Sequence, residues 1–115
     1  GTDYRFAEMY HNSQSGGVST TQGTSGTSIK LINSSMDNAA GEGFSGTFML
    51  DDVSSTTQFF RITTVTTGND TSGYPWNSMC GGMRNDDEAI NNIRFYMSSG
   101  NITSGTIRLY GIVNS

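Results

Sequence analysis

The chain is poor in the residues that brace small proteins by anything other than packing: 115 residues hold one cysteine, one histidine, one proline, one tryptophan and one lysine. A single cysteine forbids an intrachain disulfide and leaves the redox compartment unread. One cysteine and one histidine fall short of a tetrahedral zinc site, and no cofactor is implied. Charged residues are 14% of the chain, against a usual ~25%. Six Lys and Arg, spread singly among ten Asp and Glu, make no basic face, so a nucleic-acid partner is excluded. No apolar run approaches the ~20 residues of a helical membrane span, no membrane insertion is expected, and no signal-peptide pattern opens the chain. Its start at Gly1 rather than methionine suggests an excised fragment or processed product of a larger parent. Helix-forming residues are scarce too: Ala, Leu, Glu and Lys together fill 11 positions, against 27 for Val, Ile and Thr.

What remains is strand and turn material. Gly, Ser, Thr and Asn fill 56 positions, and these residues supply the backbone freedom and local hydrogen bonds of tight turns. Twelve aromatics and eight isoleucines, clustered and alternating, argue against disorder. A 115-residue chain is of single-domain size, so one core is expected over residues 1–115.

Period-two alternation predicts strands at 4–10, 27–33, 46–50, 57–66, 90–97 and 105–113, with a short one around 77–83. Residues 12–27, rich in Ser, Gly and Thr, read as a long mobile loop. In the strand at 57–66, Phe60 and Ile62 oppose Phe59, Arg61 and Thr63; in the last, Ile107, Leu109 and Val113 share one face and Arg108, Tyr110 and Ile112 the other. Six to eight strands at near-regular spacing, without a helix, predict an all-β antiparallel sandwich of jelly-roll type. The segments Ser45-Gly46-Thr47-Phe48-Met49-Leu50 and Ser104-Gly105-Thr106-Ile107-Arg108-Leu109 echo each other at four of six positions.

The closing stretch from Ala89 to Ile112 contains Ser98-Ser99-Gly100-Asn101 and Ser104-Gly105-Thr106-Ile107-Arg108-Leu109-Tyr110-Gly111-Ile112. It resembles the end of a family of phage virion β-sandwich domains found in tail-fibre-like and capsid-associated proteins. The resemblance covers about 25 residues closely and the stretch from Gly43 to Leu50 loosely. It implies a structural or adsorption role on the virion surface, other virion proteins as partners, a homo-oligomer with a trimer as first expectation, and no catalytic residues. Met36, Met49, Met79, Met83 and Ile112 are candidates for a subunit interface.

Candidate chemistry is thin, and no enzyme is expected. His11 has no acid beside it to orient it as a base. Cys80, in Met79-Cys80-Gly81-Gly82, matches no nucleophile signature and reads as a small buried apolar residue. Asp86, Asp87 and Glu88 with Asn85, like Asp51-Asp52, offer calcium-type oxygens without EF-hand spacing, and solvated turn charges are the better account of them. Sequons at Asn33, Asn69 and Asn101 are what ten asparagines and 31 Ser or Thr give by chance, roughly 2.7. Tyr74-Pro75-Trp76 is the best ligand-binding candidate: a bend at Pro75, with a cis bond as one option, would present both rings to a sugar or a protein. A host-surface glycan fits that reading, as does the alternative of a carbohydrate-binding module, free or attached to an enzyme. The competing account is that Trp76 caps the core.

Overall fold

The computed structural model describes residues 2–36 and 39–112. Every regular element among them is a strand: β1 (Tyr4–Asn12), β2 (Val18–Gly26), β3 (Phe44–Asp51), β4 (Arg61–Asn69) and β5 (Pro75–Arg84). They form one antiparallel sheet in the order β2-β1-β5-β4-β3. The central position of β5 comes from its pairing on both sides, with β1 over Tyr4–Asn12 and with β4 over Arg61–Asn69.

Strand alternation turns directly into burial. In β4, Ile62, Thr64 and Thr66 are buried while Arg61, Thr63, Val65 and Thr67 are exposed. In β5 the buried set is Trp76, Ser78, Cys80 and Gly82. Phe60, Ile62, Trp76 and Cys80 form the apolar core, with Glu8, Asn12, Thr64, Thr66 and Ser78 buried among them. The polarity of the sheet is therefore partly inverted. Register places Met9, Met79 and Val65 side by side on the open face, 52%, 52% and 50% exposed, while Glu8, Thr64 and Ser78 sit under cover.

The covering layer is irregular. Residues 28–36 cross the face of β1 and β5, bonding to side chains rather than to a strand edge. Lys30 and Leu31 carbonyls accept from Cys80 Sγ at 3.5 Å and Ser78 Oγ at 3.0 Å, and the Asn33 amide donates to Glu8 Oε1 at 3.2 Å. Gly82 makes this contact close: a Cβ there would lie 2.7 Å from Ile29 Cγ2. Residues 90–97 cover β3, where the Phe95 ring lies 5.2 Å from Phe48 and the Ile90 amide donates to the Val53 carbonyl at 2.7 Å.

The all-β class is observed, but with five strands among the described residues rather than six to eight. Residues 27–33 and 90–97 join no ladder: the Lys30 and Leu31 carbonyls are taken by side chains of β5, and 90–97 meets β3 through ring packing at Phe95. The expected strand at 105–113 is likewise outside any ladder over residues 105–112, and Val113 lies outside the described residues. Residues 12–27 are no long loop. They hold the end of β1 and all of β2, joined by a short turn in which Gly16 takes a left-handed φ of 66° and the Gln14 amide donates to Asn12 Oδ1. A polar strand of Ser, Thr and Gly lacks apolar alternation, and only its neighbour β1 supplies the ladder that stabilises it.

Candidate functional site

The turn between β4 and β5 carries the aromatic candidates. Asp70 Oδ1 accepts from the amides of Ser72 and Tyr74, each at 2.9 Å, and Asp70 Oδ2 accepts from Asn12 Nδ2 at 2.7 Å. These bonds hold the Asp70 carboxyl below its ordinary pKa, the Tyr74 amide contributing most and the Asn12 amide next. Asn12 Nδ2 also donates to Tyr10 Oη at 3.0 Å, which donates in turn to Ser34 Oγ at 3.2 Å. One polar chain thus ties the turn to β1 and to the covering segment.

The two predicted ligand-binding rings are separated by this geometry. Trp76 falls on the covered face of β5, only 2% exposed, with its ring 6.0 Å from Tyr10, whereas Tyr74 lies before the strand and is 40% exposed. Trp76 therefore caps the core, and a flat two-ring platform is not formed. No peptide bond among the described residues is cis, the one before Pro75 included.

An open cleft of about 320 Å³ adjoins the turn, lined by residues 41–45 and 67–69. Asn69 in its wall is already spent, accepting from the Gly43 amide at 3.2 Å and donating to the Gly41 carbonyl at 2.9 Å. Phe44, 43% exposed, is left as its apolar rim.

Beneath the cover, Glu8 Oε1 accepts from Ser78 Oγ at 2.8 Å, and Glu8 Oε2 has no hydrogen-bond partner among the described residues. Cys80 stands opposite Glu8 across β1 and β5. Burial first, and the Glu8 carboxyl second, push its thiol up to about 11, so Cys80 is a protonated core residue at neutral pH rather than a thiolate nucleophile. Glu8 was not among the candidates read from the sequence. Its signal was there: an acid at the inward position of the alternating run Tyr4, Phe6, Glu8, Tyr10.

His11 points to the open face, beside Asn77 and Val18 in register, and the thickness of the sheet separates it from Glu8, Ser78 and Cys80. Of the acidic cluster, Asp86 and Glu88 both face Arg84, at 3.3 and 3.4 Å. Asp52 pairs with Arg61. Among the described residues no group of three or more His, Cys, Asp or Glu side chains is placed to hold a metal ion.

The largest unassigned feature is apolar. Ile107, Leu109, Tyr110 and Ile112 are 63%, 81%, 78% and 81% exposed, and Met9, Met49, Met79 and Val65 are each about half exposed. Monomers seldom leave so much large apolar surface in contact with water. In comparisons with family models, curated proteins and solved structures, the chain finds no match.

Proposed function

We propose that this chain is a structural module of a phage virion surface, working as a homo-oligomer in assembly, decoration or fibre-mediated adsorption, and not as an enzyme. The observation that carries the homo-oligomer is surface area. The chain exposes 8095 Å², whereas a compact monomer of 12.3 kDa exposes about 6100 Å². The excess of about 2000 Å² per chain is the scale of an obligate interface between subunits. A radius of gyration of 15.1 Å, against about 13 Å for a compact chain of this length, agrees with it.

The virion assignment draws on the resemblance of residues 89–112 to phage virion domains, and the oligomer on the exposed apolar residues in that same stretch. In this reading the single sheet is one half of a jelly-roll-like sandwich, and segments 28–36 and 90–97 belong to the other half, completed where copies meet. A trimer is the arrangement to test first. The carbohydrate-binding reading has less support, because Trp76 is spent on the core and Tyr74 stands without it.

Size-exclusion chromatography with light scattering tests the proposal on the full chain. A stable multiple of 12.3 kDa at micromolar concentration is expected. A monomer that stays monomeric at high concentration would end it.

A further inference from the structure

We infer that residues 105–112 act as a donor strand, adding antiparallel to the outer edge of β3 in a second copy of this chain; the inference rests on the assembly reading above.

Three observations meet here. The first is the donor. Among the described residues, 91–112 make no backbone hydrogen bond, although the pattern Thr106-Ile107-Arg108-Leu109-Tyr110 is that of a strand. Backbone polar groups seek partners, and large apolar side chains seek cover, so a strand-patterned segment with neither is unfinished within one chain. Leu109, at 81% exposed, touches too little of its own protomer to explain an apolar residue there.

The second is the acceptor. The sheet has two outer strands, β2 and β3. β2 has Val18 as its one large apolar residue, and its register with β1 breaks between Tyr4 and Phe6. β3 is the opposite: eight residues in unbroken register with β4, carrying Phe44, Phe48, Met49 and Leu50. It has no proline, no lysine and no bulge, the devices by which natural edges avoid pairing. A regular apolar edge of this kind is a template for strand addition.

The third is fit. Parity puts Ile107 and Leu109 on one face, as it puts Phe48 and Leu50 on the covered face of β3. With Leu109 opposite Phe48 and Ile107 opposite Leu50, Arg108 falls diagonal to Asp51, and Tyr110 stands opposite Thr47 on the open face. An antiparallel partner continues a sheet that is antiparallel throughout. Donor and acceptor are different surfaces, so each copy gives one strand and receives one, and the copies form a ring where the rotation between them closes.

The test is a cysteine pair in a Cys80→Ala background. Thr47→Cys with Tyr110→Cys, oxidised with glutathione disulfide, should give chains linked to one another on a non-reducing gel. A Thr20→Cys with Tyr110→Cys control, which reports the β2 edge, should not. No link between chains, a link closed within one chain, or a link only to position 20 would each overturn the inference. Light scattering on the parent chain keeps the two proposals apart: an oligomer without the cross-link sinks the donor strand alone, whereas a monomer sinks the assembly reading as well. As a second variant, Leu109→Asp should reduce the mass to that of one chain while the β circular-dichroism signal is unchanged. Loss of that signal would mean that the segment packs within its own chain, which also overturns the inference.

Discussion

Glu8 Oε1 lies 2.8 Å from Ser78 Oγ, and both residues are almost wholly removed from water. The Ser78 hydroxyl has a second acceptor, the Leu31 carbonyl at 3.0 Å, and Glu8 also receives the Asn33 amide. This small polar set pins the covering segment 28–36 to β1 and β5, where an apolar core would have held it by packing alone.

Removing the acceptor and removing only its charge should therefore differ. Glu8→Ala leaves the Asn33 amide unpaired beneath the cover, at a cost of about 1–3 kcal/mol. Glu8→Gln keeps an acceptor oxygen in place and should cost less than about 1 kcal/mol. Urea midpoints of the two variants decide it, and equal losses would show that the hydrogen bonds contribute little.

Stability should fall in alkali through Cys80. Its thiol ionises near 11 in the folded chain, above its ordinary value of 9.0. A group raised in this way contributes fully below pH ~9 and loses that contribution as pH climbs through the folded value. Between pH 9 and 11 the unfolding midpoint of the parent chain should decline more steeply than that of Cys80→Ala. In Glu8→Gln the thiol should titrate lower, though still above the ordinary value, because burial is the larger cause.

Two glycines in the same sheet should respond in opposite directions. A Cβ at Gly68 would come within 2.5 Å of the Gly43 carbonyl and 2.7 Å of Trp76 Cζ2, so Gly68→Ala should cost about 1–3 kcal/mol. At Gly81 a Cβ meets nothing within 4 Å, and Gly81→Ala should stabilise by about 0.4–1 kcal/mol through the unfolded chain. Thermal unfolding of the two single variants is the check.

The aromatic turn makes a third contrast. Trp76→Ala should cost about 3–5 kcal/mol, as expected for a large buried ring, whereas Tyr74→Ala should stay within about 0.5 kcal/mol. If a glycan array detects binding by the parent chain, Tyr74→Ala is the variant that tests the loop without disturbing the fold. Wild-type stability in Trp76→Ala would contradict the core placement of that ring.

Several features were legible in the residues themselves. Phe60 and Ile62 alternate with Phe59, Arg61 and Thr63, and the structure buries the first pair and exposes the others. The run from 75 to 84 is a full central strand where the sequence offered only a short one, because β1 and β4 pair with both of its edges. β2 was hidden for the complementary reason: its residues show no apolar period, and only the edge of β1 gives them a place. Trp76 could not be assigned between core and ligand from Tyr74-Pro75-Trp76 alone, since residues two apart share a face within a strand, and the rings separate only because β5 begins at Pro75 and leaves Tyr74 in the turn.

Composition and alternation by themselves determined that this chain is all β, because scarce helix formers and abundant β-branched residues leave no other regular structure open to it. Only the tertiary structure decided which faces of the strands are covered. Period-two patterning sets Glu8 in line with Tyr4, Phe6 and Tyr10 and Met9 opposite them, but gives no reason for an acid to be covered in preference to a methionine. Segment 28–36, laid over β1 and β5, put the acid inside and left the methionine in contact with water.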